Sequence, residues 1–420
     1  MKAPNPSAII YILCSFAFIN TSIAQAPHGF RGPERNGIYP ESGLAKTWPN
    51  EGPELLWESM DAYAGYSSPV IVGDRVYITG INSAQTEEIF SAYTIDGKKV
   101  YQVTYGKTTT TSYRETRSTP TIEGSSAYLI SGSGEVVCIN VETGKVGWKV
   151  DGNLKFSKST GTWGTAESPL VFDNKVIYSP GGSQTAVVAL NKENGETIWK
   201  SKTLGNNSSY VSPLLIKYNG KRQIIGLTDE NVIGVNPENG NIEWSYHDWA
   251  RGTRYKIAPN TPIYKNGKLF ICQGYDAGSF MLQLNNDLTG VKELWRNDDL
   301  DTHHGGQVLI NDVLYGSNWI SNSQGNWVAV DWNTGKTLFE EPWSGGKSKG
   351  SIIAADNMMY CYDERRGAVG LVKPNMEKFD VVSEFRITKG EGPHWAHPVI
   401  KDGILYLRHG SALMAYNIKQ

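Results

Sequence analysis

The chain contains no adjacent cysteine pair and no Cys-x-x-Cys-His run. The first absence excludes a vicinal disulfide, and the second excludes a covalent haem site. Cysteine is sparse throughout, with four in 420 residues. Cys14 lies near the N-terminus, without the small residues expected ahead of a lipidated cysteine. Cys138, Cys272 and Cys361 sit alone inside strand-like runs. That pattern excludes a disulfide framework or a cysteine zinc site and makes each a small buried hydrophobe. Charge of one sign is also lacking. Forty Lys and Arg against 42 Asp and Glu leave a net −2, so no strong field draws the chain to nucleic acid or a membrane surface. The mostly apolar run from Ala8 to Ile19 is short for a membrane span. The acidic stretch Asn297-Asp298-Asp299-Leu300-Asp301 lacks a full calcium-loop signature and reads as a solvated loop.

What is present divides the chain into three. Lys2, the apolar run and the small residues around Ala24 and Ala26 read as a cleaved signal peptide over 1–26. This predicts a periplasmic or secreted protein. Residues 27–53, with Phe30-Arg31-Gly32-Pro33, form a Gly/Pro-rich lead-in expected to pack across one face. Residues 54–420 are copies of one unit. A strand, a Gly turn and a second strand place an aromatic four residues after the glycine. The pairs are Gly97 and Tyr101, Gly144 and Trp148, Gly195 and Trp199, Gly240 and Trp244, and Gly335 and Phe339. The abundance of Gly (45), Trp (13) and Tyr (22) suits an all-β chain rich in turns.

A second element opens each unit: Ser-x-Pro, then a β-rich run, a turn and an aromatic. The copies start at Pro69, Pro120, Pro169, Pro213, Pro262, Gln307, Ile352 and Pro398, at intervals of 44 to 51 residues. That period belongs to a four-stranded propeller blade. The eighth copy stops at Gln420, before its last strand, and Leu55-Leu56-Trp57 supplies a matching strand at the other end. The prediction is an all-β, eight-bladed β-propeller with four antiparallel strands per blade, its last blade closed by an N-terminal strand. Each Trp is expected to lie over the neighbouring blade's turn, as architecture and not as a ligand contact.

In a propeller the loops leading into the innermost strands converge on the axis. Here they carry Tyr63, Tyr66, Tyr113, Arg114, Glu115, Arg117, Trp163, Glu167, Tyr210, Arg254, Lys256, Asn260, Asp301, His303, His304, Lys347, Lys349, His394, Trp395 and His397. The candidate ligand-binding set is Arg114, Arg117, Trp163, Glu167, Arg254, Asn260, His303, His304, Lys349, His394, Trp395 and His397. Arg offers bidentate contacts and Trp a stacking face, which suits a small anionic or sugar-like ligand. Channel filling by mutual hydrogen bonds is the competing reading. The histidine pairs could serve a metal, but adjacent residues of a strand face opposite ways, so no metal site is assigned. Asp363-Glu364-Arg365-Arg366-Gly367 reads as a charged hairpin tip. Arg408-His409-Gly410 reads as a turn whose histidine could face the channel.

From residue 30 to 420 these motifs resemble the PQQ-like β-propeller repeat proteins. That group includes quinoprotein dehydrogenases and the propeller subunit of the outer-membrane barrel assembly machinery. Phe30-Arg31-Gly32-Pro33, His303-His304-Gly305-Gly306, Lys349-Gly350-Ser351 and Gly392-Pro393-His394-Trp395-Ala396-His397-Pro398 resemble an exported bacterial subgroup of undefined role. The dehydrogenase resemblance implies PQQ with calcium on the axis and a catalytic Asp. The assembly-factor resemblance implies a periplasmic protein-binding scaffold. With blade motifs intact and redox motifs absent, the expectation is a monomeric, non-catalytic scaffold for a ligand or another periplasmic protein. The alternative is a quinoprotein-like dehydrogenase or a carbohydrate-active enzyme using Glu115, Glu167 or His303.

Overall fold

A computed structural model describes residues 1, 27–111, 113–247, 257–343 and 346–420. The expected signal segment falls almost wholly outside them. Eight sheets form the blades, each with four antiparallel strands, and one of them carries a fifth, parallel strand. The first strands of blades 1 to 8 are Val70–Val72, Thr121–Glu123, Leu170–Phe172, Leu214–Tyr218, Ile263–Lys265, Val308–Ile310, Gly350–Ala355 and Val399–Lys401. They begin within two residues of the starts read from the repeat. Among the described residues no helix is long and apolar enough to cross a membrane.

The eighth blade is built from both ends of the chain. Glu54–Ser59 pairs with Ala412–Asn417, with Leu55 opposite Tyr416 and Trp57 opposite Ala415. This pairing closes the ring and removes the open edge. The aromatic of each unit then rests on the next blade's turn. Trp57 donates to Ile95 O at 2.8 Å, Trp148 to Lys192 O at 3.0 Å, Trp199 to Pro237 O at 3.1 Å and Trp295 to Trp332 O at 3.2 Å. The turn glycine is required twice over. Gly195 and Gly240 have φ of 73° and 77°, and a Cβ there would come within 2.7 and 2.5 Å of the Trp148 and Trp199 rings. Blade 5 departs from the pattern. Its turn carries the buried Leu288, and Trp244 donates instead to Gln223 Oε1, whose Nε2 bonds Leu288 O. At the chain junction Gly52 stands in for the turn glycine and packs under Phe385.

The residues before the first four of the repeat prolines have a role that the repeat alone did not show. Ser68 N donates to Thr119 Oγ1, Thr119 N to Ser168 Oγ, and Ser168 N to Ser212 Oγ, at 2.9–3.0 Å. These hydroxyls form a belt that satisfies buried backbone donors from blade to blade.

The lead-in goes further than the sequence reading placed it. His28 pairs with Ile122 of blade 2, and Ile38–Tyr39 adds a parallel strand beside Gly350–Ala355 of blade 7. Between them the chain crosses the ring and sends two buried arginines to the axis. The Arg31 guanidinium donates to Gly305 O, Ile352 O, Asn36 O and Gln307 O, and contacts His397 Nδ1 at 3.1 Å. The Arg35 guanidinium donates to Ser168 O, Pro213 O, Pro169 O and Thr121 Oγ1. The lead-in therefore plugs the channel.

The ring contact can be separated from backbone strain. Gly240→Ala should cost about 3 kcal/mol, combining a left-handed φ with a clash against Trp199. Gly124→Ala has a φ of 56° but nothing within 4 Å of its Cβ, and should cost only about 1 kcal/mol. Denaturant unfolding of the two variants checks this. Equal losses would show that the tryptophan–turn contact contributes nothing.

Candidate functional site

Above the plug, the loops leading into the inner strands enclose a cavity of about 300 Å³. Phe30 of the lead-in contributes to its lining, and Tyr66, Tyr113, Trp163, Tyr210, Tyr275 and Trp395 supply further aromatic walls. Trp395 sits at the centre of the set, with ring centroids 4.9 Å from Tyr66, 4.8 Å from Tyr113 and 5.1 Å from His304. Two wall residues have strained backbones, Tyr113 at φ 55° and Tyr275 at φ 57°. Positive φ is costly for a bulky side chain, and such outliers cluster at ligand sites.

The candidate residues fall into four groups. Arg117, Trp163, His303, His304, Trp395 and His397 line the cavity. Glu167, Asn260, Lys349 and His394 are buried outside that lining. Arg114 is exposed, and its guanidinium donates to Thr110 O. Arg254 lies outside the described residues. Phe30 and Tyr275 complete the wall but were not among the candidates. Phe30 belonged to the lead-in and Tyr275 to a loop between the second and third strands of blade 5.

Each buried candidate has a structural partner. Glu167 accepts from Ser179 N and Oγ at 3.1 and 3.2 Å, and burial raises its pKa to about 8. Asn260 ties Thr302 O to Gly306 N. His394 stacks on His409 at 3.5 Å and bonds the Tyr362 hydroxyl. Burial, helped by the nearby His409, lowers its pKa to about 4. His397 bonds Arg31 through Nδ1 and donates from Nε2 to His304 O, which fixes a neutral tautomer. Burial, reinforced by Arg31, holds its pKa at about 3. The Arg117 guanidinium donates to the carbonyls of Trp163 and Tyr113.

The motif glycines bring the polar wall together. Gly305 lies against Gly350, and Gly350 against Tyr362 O, so closely that a Cβ at either would overlap the backbone. Ile352 N bonds Gly305 O, and Glu364 N bonds Lys349 O. The result gathers His303, His304, Lys349 and Glu364 at one point. Lys349 Nζ is ion-paired with Glu364 and lies 3.0 Å from His303 Nδ1. Its enclosure lowers the ammonium pKa to about 7, and burial holds both imidazoles well below their ordinary value. Two sequence expectations change here. Residues 303–304 form a bend and not a strand, so the two imidazoles lie side by side with centroids 4.1 Å apart. Glu364 is buried instead of sitting at an exposed hairpin tip, while Asp363 caps the turn by accepting from Arg365 N and Arg366 N.

A family model described as outer membrane protein assembly factor BamB matches residues 85–341. The chain belongs to that family of PQQ-like propellers. No curated protein matches the sequence. Among solved structures, the chain is similar to BamB from Moraxella catarrhalis, with 16% identity, a TM-score of 0.62, and coverage of 87% of this chain and 99% of that one. It is also similar to a europium-containing methanol dehydrogenase, with 12% identity, a TM-score of 0.66, and coverage of 90% and 88%. Quinohemoprotein alcohol dehydrogenase from Comamonas testosteroni shares 11% identity at a TM-score of 0.64, with coverage of 92% and 79%. At these identities the likeness carries the fold alone.

The PQQ-like propeller fold raises the question of a calcium-bound quinone. Calcium takes six to eight oxygen ligands, carboxylates prominent among them. No Asp or Glu lines the cup among the described residues, and Glu364 behind the wall is paired with Lys349. The donors present do not fit that group.

Glu167 gives a pH test. Its folded pKa lies above its unfolded one, so the folded state keeps a proton that the unfolded chain releases. Its contribution to stability is therefore present at low pH and is lost between the ordinary carboxyl range and about pH 8. Glu167→Gln should flatten that fall, so the melting temperature of the variant should gain on the wild type as pH rises from 5 to about 8. Parallel melting curves across this range would contradict the buried, protonated state.

Proposed function

We propose that this chain is an exported, non-catalytic binding propeller whose axial cup takes a neutral, sugar-like ligand. The observation that carries the reading is the aromatic wall around Trp395, whose neighbouring cations are already engaged. Aromatic faces stack on the apolar faces of a sugar ring, and the tyrosine hydroxyls and Asn322 supply hydrogen bonds at its rim. An anionic ligand fits less well. Arg117 is committed to backbone carbonyls, Lys349 to Glu364, and Arg31 and Arg35 to the plug. The volume lies at the lower end of small-molecule pockets, about 300–1,000 Å³. Export rests on the N-terminal sequence. The family's description as an assembly factor supports a partner protein as the alternative occupant, inserting a side chain into the same cup.

A single sugar ring has about 12 non-hydrogen atoms. At roughly 0.3–0.4 kcal/mol per atom its Kd is near 1 mM, so titrations must reach tens of millimolar. Tryptophan fluorescence should change saturably with at least one member of a mono- and disaccharide panel, and Trp395→Ala should weaken that binding at least tenfold. No saturable response to any sugar, or an unchanged response in the variant, rejects the assignment.

A further inference from the structure

We propose that His303, His304 and Glu364 form a binding site for a divalent transition-metal ion of the zinc type, opening on the axial cup. One ligand atom from each of the three lies within 4.8 Å of the others. Glu364 Oε2 is 3.2 Å from His303 Nδ1 and 3.5 Å from His304 Nε2. Bonds of about 2.0–2.2 Å at tetrahedral angles place ligand atoms about 3.3–3.6 Å apart. The two separations to the carboxylate thus already match edges of a tetrahedron, and the imidazole nitrogens lie within 4.8 Å of each other.

The surroundings support the same assignment. His303 Nε2 is 2.8 Å from the Tyr275 hydroxyl, which orients the ring and leaves Nδ1 for the metal. His304 Nε2 is buried with no hydrogen-bond partner among the described residues, and Glu364 Oε2 faces it at 3.5 Å. Such an atom needs an explanation, and a metal supplies one. His303 and His304 both line the cup, so a fourth coordination position faces the cavity, as in zinc sites that keep an open position. Two imidazoles and one carboxylate suit zinc better than a hard ion.

Lys349 occupies the place of the cation in this structure. Its fully buried ammonium pairs with Glu364 Oε1, approaches His303 Nδ1 at 3.0 Å and bonds Asn322 O at 3.2 Å. Metal binding therefore displaces the ammonium from the carboxylate, and the lysine acts as an internal competitor. This accounts for a positive side chain buried beside two histidines. It also predicts that removing the lysine strengthens the site.

The test is a zinc titration of the metal-free full chain by calorimetry, with melting curves confirming the fold of every variant. The wild type should bind one equivalent, and Lys349→Met should bind at least tenfold more tightly and gain more in melting temperature from zinc. The His304 side chain is partly buried and makes no side-chain hydrogen bond among the described residues, so His304→Asn tests the site, with its melting curve as the check on folding. That variant and Glu364→Gln should lose the equivalent. No saturable zinc binding by the wild type overturns the site, as does binding that survives in His304→Asn. Equal affinity in the wild type and Lys349→Met overturns the role given to the lysine. Sugar binding is read separately by fluorescence without zinc, so either proposal can fail alone.

Discussion

A ring of blades holds only if its last sheet is joined to its first, and here one strand pairing makes the join. Glu54–Ser59 lies beside Ala412–Asn417, more than 350 residues away in sequence. The same strand carries Trp57 onto Gly97 of blade 1, so it both completes blade 8 and locks that blade to its neighbour. Gly52 and Trp48 then pack on Phe385 of blade 7. Without this join, two sheet edges would be exposed and the inner strands would have no fixed axis to converge on.

The axis sets the next constraint. Inner strands turn carbonyls and hydroxyls toward a narrow channel that water could enter only partly. Unpaired, those groups would cost the fold heavily. The belt of Ser and Thr hydroxyls satisfies donors between blades 1 and 4. Arg31 and Arg35 satisfy acceptors from two sides of the ring, and Arg408 does the same with Ser67 and Tyr63. Burial lowers the pKa of Arg31 and Arg35 to about 10, still far enough above neutral pH for both to stay charged. Plugging the channel turns an open pore into a cup, with Phe30 in its wall.

The cup shows how far sequence carries a functional reading. The positions of Arg117, Trp163, His303, His304, Trp395 and His397 at the starts of inner strands mark them as axial, because blade periodicity puts those loops on one end of the ring. Periodicity gives no side-chain direction. Glu167 and His394 occupy equivalent loop positions yet turn inward, to Ser179 and to Tyr362 and His409. Tyr275 comes from a loop between later strands of its blade, where the repeat gives no reason to look.

The chain by itself determined the architecture: eight blades, their boundaries, the tryptophan on the turn glycine, and closure by both termini. Those features follow from contacts repeated at a fixed interval, which a single sequence displays directly. Only the tertiary structure decided the plug and the polar cluster. Glu364 lies 61 residues from His303, and the two meet because Gly305 and Gly350 let three backbones approach without a Cβ between them. Nothing local marks that approach. It depends on how blades 6 and 7 are set against each other, and that angle is fixed by the whole ring.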